Sequence, residues 1–164
     1  MQPRVDRPHI PHYGIPERAE GMLGWGAVER AIGSAPRYWI ATTGGDGAPH
    51  VIQQWGVWVA GALYFEGGLH TRWARNLQRD PRAAVTVERR SYAVMIEGLA
   101  EHVRAPATSL ARAIIAAYRG KPYGYVPAAK NWTAGGLWAV RPRRVFAWRY
   151  AAFMITATRF RFEP

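Results

Sequence analysis

The chain has 164 residues, 49% of them hydrophobic, with 22 Lys+Arg against 11 Asp+Glu and a formal charge of +11. That length supports one domain with a real core, and the lack of any cysteine excludes disulfides, thiolate nucleophiles and cysteine metal sites. No apolar run approaches a membrane span, no charged-then-apolar leader is visible, and the basic balance favours an anionic partner, either a phosphorylated cofactor or a nucleic acid.

Met1 to Pro16 holds four of the twelve prolines and reads as an extended arm, placing a boundary near residue 19 ahead of one domain over residues 20–164. His9 and His12 flank Pro11, which argues against a helical metal pair. A short helix is expected over Glu20 to Ile32, with Leu23, Ala27, Val28 and Ile32 as its apolar stripe. Arg37 to Thr43 then reads as a strand, Gly44 to Pro49 as its turn and His50 to Ala60 as the return strand. Along that return, Val51, Gln53, Trp55 and Val57 are expected on one face, with Ile52, Gln54 and Trp58 on the other. Gly56 marks a bulge or a close approach.

Leu63 to Glu66 is a further strand, ending in Gly67 and Gly68. A helix follows, capped by Thr71 and stopped at Asp80-Pro81. Arg72, Arg75 and Arg79 give it a cationic side, whereas Trp73 and Leu77 mark its packing side. A helix start with guanidiniums beside it is a seat for phosphate. The alternative is a solvated basic surface. Ala83 to Glu88 and Tyr92 to Glu101 form a hairpin across Arg89-Arg90-Ser91, and Leu110, Ile114, Ala117 and Tyr118 define a second amphipathic helix. A long aromatic loop, Lys121 to Gly136, precedes a strand over Leu137 to Arg149, interrupted at Pro142. Thr156 to Phe162 is the last strand, phenylalanines on one side and arginines on the other. The fold class is mainly β (α+β): six or so sequential strands in an antiparallel barrel with short flanking helices.

The chemical inventory is thin. Ser34, Ser91 and Ser109 lie in no nucleophile elbow, and His50, His70 and His102 have no metal-binding spacing. There is no Walker loop and no dinucleotide fingerprint. Such a chain is expected to take its chemistry from a cofactor.

The succession WIATTGGDGAPHV, QQWGVW, ALYFEGG, TRWARNLQRDPRAAV and VMIEGLAEHV, with RPRRVFAW near the end, resembles the pyridoxamine 5′-phosphate oxidase-like split-barrel flavoproteins. That group includes FMN-binding oxidases and deazaflavin-dependent reductases. The resemblance implies a homodimer with a flavin in the groove between subunits. It implies that Gln53, Gln54 and Trp55 face the flavin ring, that Glu66 and Gly67 line the ribityl region, and that Thr71 and Arg72 grip the phosphate. Trp148 would pack near the ring from the partner chain. Trp73 stands where the family has a phosphate-binding lysine, so Arg75 is a candidate substitute, and Trp73, Arg75 and Asn76 complete the candidate cofactor set on this helix.

The pyridoxal-phosphate-holding lysine also has no counterpart, Val57 and Trp58 standing near its place, which argues against pyridoxal phosphate production. The implied function is an oxidoreductase transferring hydride between FMN (alternatively the deazaflavin coenzyme F-420) and a small substrate, in the cytoplasm. Its rivals are a haem-binding split barrel with His50 or His70 as axial ligand, a non-catalytic flavin carrier, and a basic nucleic-acid-binding barrel. The last is disfavoured because no segment clusters cations with exposed aromatics.

Overall fold

A computed structural model describes residues 2–89, 91–132 and 136–163, so Met1, Arg90 in the expected hairpin turn, residues 133–135 of the aromatic loop and Pro164 lie outside the described residues. Nine strands and four short α-helices appear among them. Two strands pair across the GGDG turn: β2 (Tyr38–Thr43) and β3 (Pro49–Gln54). β6 (Arg82–Arg89) and β7 (Tyr92–His102) form the second hairpin, and β6 also joins β2. β8 (Leu137–Arg149) pairs with β7 along its length. β9 (Thr158–Arg161) pairs with β8, and β1 (Arg4–Asp6) with β9. β4 (Val57–Val59) pairs with β5 (Ala62–Glu66), which itself joins β8. Every pairing is antiparallel and the sheet order is β1-β9-β8-β7-β6-β2-β3, so the barrel is left open.

The split has a local cause in β8. Its first part, Leu137 to Val140, pairs with β5, and its later part, Arg144 to Ala147, pairs with β9. Pro142 stands at the changeover, where the strand leaves one neighbour before meeting the next. A residue without an N–H is tolerated at such a point. Opposite it, the β7–β8 register shifts between Glu97 and Gly98.

The sequence reading holds for the fold class and differs in strand number. The expected strand His50 to Ala60 is two strands, broken at Trp55-Gly56. Tyr123 fills the break: its hydroxyl accepts from Gly56 N (3.3 Å) and donates to Gly56 O (3.1 Å). Beyond this point the chain pairs with β5, and Val57 is fully buried instead of sharing the exposed face of Val51 and Trp55.

The N-terminal arm is a second difference, since part of it is built into the sheet. β1 extends the sheet edge, and the Arg7 guanidinium donates to the carbonyls of Arg18, Glu20, Ile155 and Ala157. The Asp6 carboxylate accepts from both Arg159 and Arg161. Arg159's hydrogen bond, reinforced by both guanidinium charges, holds Asp6 below the usual carboxylate range despite partial burial. A depressed carboxylate stabilises the fold above its unfolded pKa and loses that contribution as pH falls through the folded value. Asp6→Asn is therefore expected to lower stability at neutral pH, and the gap from wild type to close in acid, as read by urea melts across pH. A gap that persists at low pH would show that the charge is not what holds the strand.

The helices cover two separate cores. β5 is buried on both faces: Leu63 and Phe65 point into the barrel, and Ala62 and Tyr64 into a second cluster with Ile114, Tyr118 and Trp132. α1 (Trp25–Ser34) buries Val28, Ala31 and Ile32, starting later than its sequence pattern predicts, with Gly24 as N-cap. α2 (Arg72–Arg79) buries Trp73, Ala74, Asn76 and Leu77. α3 (Thr108–Arg119) supplies Ala111, Ile114 and Tyr118 to the second cluster. α4 (Phe153–Thr156) is one turn before β9, where the sequence reading placed strand from Thr156. No helix among the described residues is long and apolar enough to cross a membrane.

Candidate functional site

Two strand ends create the site. β3 stops at Gln54 because Gly56 turns its backbone to Tyr123, and β5 stops at Glu66 because Gly67 follows. Gln54 bridges them, its Nε2 donating to the Glu66 carbonyl at 3.4 Å. The partner required by a part-buried amide is thus supplied, while Gln53 is left exposed. Gln53, Gln54, Trp55, Glu66 and Gly67, five of the residues singled out in the sequence, line one cleft of about 390 Å³. Tyr118 and Tyr125 complete it. A larger cavity of about 800 Å³ lies at the fork of β8, beside Trp25, Pro142 and Phe162, and holds none of the singled-out residues.

The tyrosines were not legible as site residues, although the loop after α3 was visibly aromatic. Tyr123 stacks on Trp55 with ring centres 5.0 Å apart and planes 6° from parallel. Tyr125 tilts toward Trp55 at 6.3 Å and meets Tyr118 edge-on at 6.2 Å. Burial first, then the Glu66 carboxylate, raises the hydroxyl pKa of both Tyr118 and Tyr125, so both are protonated at neutral pH. Trp132, also missed, donates its indole N–H to Glu66 Oε1 at 2.6 Å. Glu66 Oε2 is buried and has no hydrogen-bond partner among the described residues.

Gly67 is needed for close approach. A Cβ there would stand 2.2 Å from Trp73 Cζ2, and its N–H donates to the Gly136 carbonyl at 2.8 Å. Gly136 N in turn donates to His102 Nε2 at 3.4 Å. An accepting nitrogen is a neutral one, in keeping with a His102 pKa lowered by burial and then by Arg104.

α2 begins five residues beyond Gly67. Thr71 caps it as expected, accepting from Ala74 N at 3.3 Å and donating to Gly68 O at 2.8 Å. Arg72, Arg75 and Arg79 are exposed. Arg75 reaches back to donate to the His70 carbonyl at 2.6 Å, and Arg79 donates to the Thr43 carbonyl. Arg72 lies over the β2–β3 turn, where it and Arg79 help depress the Asp46 pKa after the main cause, a hydrogen bond from Ala48 N.

Besides Thr71, Arg72 and Arg75, three further candidate side chains lie outside the cleft. Trp73 is 5% exposed, between Phe65 (5.3 Å) and Trp138 (5.6 Å), and belongs to the barrel core. Asn76 is buried, its Nδ2 donating to Thr42 Oγ1 at 3.0 Å, which ties α2 to β2. Trp148 is half-buried on the outer sheet face against Phe153. His70 is exposed, His50 sits on β3 opposite Thr42, and neither lines the cleft. Among the described residues no group of three His, Cys, Asp or Glu is placed to hold a metal ion.

The chain is similar to solved structures of this architecture. The conserved hypothetical protein Rv2991 from Mycobacterium tuberculosis is 25% identical, with 80% of this chain and 88% of that one covered at a TM-score of 0.65. An F420 reductase is 23% identical over 71% of this chain and 94% of the other, with a TM-score of 0.55. A heme binding protein from Mycobacterium smegmatis is 22% identical over 73% of this chain and 52% of the other, at 0.53. No curated protein matches in sequence. The family model described as pyridoxamine 5′-phosphate oxidase matches residues 25–149, from the first residue of α1 to the last of β8. With the split at Pro142 and the strand-end cleft, that match shows that the chain belongs to the pyridoxamine 5′-phosphate oxidase-like split-barrel family.

Proposed function

We propose that this protein is a homodimeric flavin-binding oxidoreductase, using FMN or a deazaflavin to exchange hydride with a small substrate. One observation carries the reading: residues from two separate strand ends, Gln53 to Trp55 and Glu66-Gly67, meet in one cleft beside the Thr71-capped helix start. The cleft fits a flat heteroaromatic ring, with amides and a backbone edge on its floor and an indole at its wall. The start of α2 with Arg72 fits a phosphate. A bound flavin supplies the hydride chemistry; the chain's part is to bind, orient and keep out water. Trp73 and Asn76 contribute by fixing α2 to the barrel and not by side-chain contact with the cofactor.

The second subunit has a natural place. Gln53, Trp39, Thr86, Met95 and Phe146 stand in register across five strands. Trp39 is 44% exposed, and Val51 nearby is 55% exposed. Large apolar side chains such as Trp39, Met95 and Phe146 along an open sheet need a cover. A second copy packed here closes the side of the cleft on which Gln53 stands.

Titration with FMN and with the deazaflavin, followed by absorbance and calorimetry, tests the reading, with light scattering on the same samples to find the dimer. Arg72→Ala is expected to weaken binding by about 2–3 kcal/mol, the scale of a charge-assisted hydrogen bond. Unchanged affinity removes α2 from the site. A Soret band in the purified protein, in place of flavin absorbance, transfers the site to haem.

A further inference from the structure

Two hydrogen bonds in series connect His102 to the cleft. Gly67, which lines the cleft, donates its N–H to the Gly136 carbonyl at 2.8 Å. Gly136 in turn donates to His102 Nε2 at 3.4 Å. Gly136 has a φ of +126°, a backbone that favours glycine, so no other residue makes this link without strain. His102 itself is fixed. It pairs with Trp138 in the β7–β8 ladder, its ring lies 5.2 Å from that indole, and the next amide, Val103 N, bonds the Leu137 carbonyl. Only a neutral imidazole accepts at Nε2, whereas an imidazolium carries an N–H there and meets the Gly136 N–H donor to donor. Burial first, and then the charge of Arg104, favour the neutral ring. The other neighbours do not offset them. Trp138 and, behind it, Trp73 are uncharged, the Glu66 carboxylate on β5 is bonded to Trp132, and Glu101, next along β7, is paired with Arg141.

We infer that His102 is a positioning residue that makes the cleft sensitive to acid: the neutral ring holds Gly136 and through it Gly67, and the imidazolium releases both. That the cleft holds a flavin rests on the proposed function; the contact does not. Because the fold keeps the neutral ring, the contact is complete above the ordinary histidine pKa and is lost as pH falls through the lowered value. The Gly67 and Gly136 amide resonances of the flavin-free protein, followed by NMR from about pH 8 to about pH 5, are expected to shift with the titration of the His102 ring. His102→Gln, whose amide oxygen accepts at every pH, is expected to leave both resonances still. Wild-type affinity for FMN is expected to fall in acid by up to about tenfold relative to His102→Gln, the scale of one hydrogen bond. The FMN phosphate titrates in the same range, but equally for both proteins, so the ratio isolates His102. Amides that ignore the His102 titration, or an equal acid loss in His102→Gln, overturn the inference. FMN uptake with such indifferent amides removes the acid control alone. Amides that follow His102 without FMN uptake at any pH support the contact and overturn the flavin reading.

Discussion

Trp73→Lys is expected to destabilise the protein severely and not to tighten cofactor binding. From sequence the substitution has two opposite outcomes: restoration of a phosphate-binding cation if the side chain faces the groove, or loss of packing if it faces the core. The structure decides between them. Trp73 is packed between Phe65 and Trp138, and His102 lies tilted against Trp138 at 5.2 Å, continuing the aromatic run. Removing a buried tryptophan side chain costs about 3–5 kcal/mol, and a lysine adds the penalty of burying an ammonium without a partner. That is a large part of the 5–15 kcal/mol, roughly, by which domains are stable. Urea denaturation reads the loss directly. A variant as stable as wild type with higher flavin affinity would put Trp73 in the groove.

Gly98→Ala is the second substitution expected to have a large effect, although no conformational demand singles the position out. A Cβ there would come within 2.2 Å of the Arg141 carbonyl oxygen and 3.2 Å of Pro142 Cα. Those atoms are backbone, at the changeover of β8, and have no flexible end to swing aside. Overpacking costs of about 1–3 kcal/mol are the lower bound here, because relief requires β7 and β8 to separate. For a chain of this size about 3 kcal/mol corresponds to a melting point lower by roughly 6–12 °C. Calorimetry showing an unchanged melting temperature would mean that the two strands yield easily at this point.

The fold class was legible because period-two alternation survives in β7 and β9, and because the Thr71 cap and Leu110–Tyr118 stripe are local patterns. What was hidden depended on distant partners. The break after Gln54 is made by Tyr123, and the incorporation of the arm by Arg7 and Asp6 reaching residues near the C-terminus. Half of the cleft was readable, since Gln53 to Trp55 and Glu66-Gly67 occur as short motifs. The tyrosine wall was not, because nothing in the loop following α3 says over which strand end it folds. Trp73 shows the opposite limit: its place in a motif pointed to the groove, and its helix face pointed to the core.

The placement of β8 late in the chain governs the order of assembly during synthesis. This one strand holds β5, β7 and β9 together, yet begins only at Leu137. β1, made first, finds its partner β9 only at residues 158–161. At synthesis rates of about 5–20 residues per second, the N-terminal hairpins wait several seconds with open edges before the strand that joins them is made. Long-range closure of this kind makes folding slow. The arm is therefore a latch that shuts only after β9 has left the ribosome, and a ribosome-bound nascent chain ending before Arg161 is expected to leave it protease-sensitive.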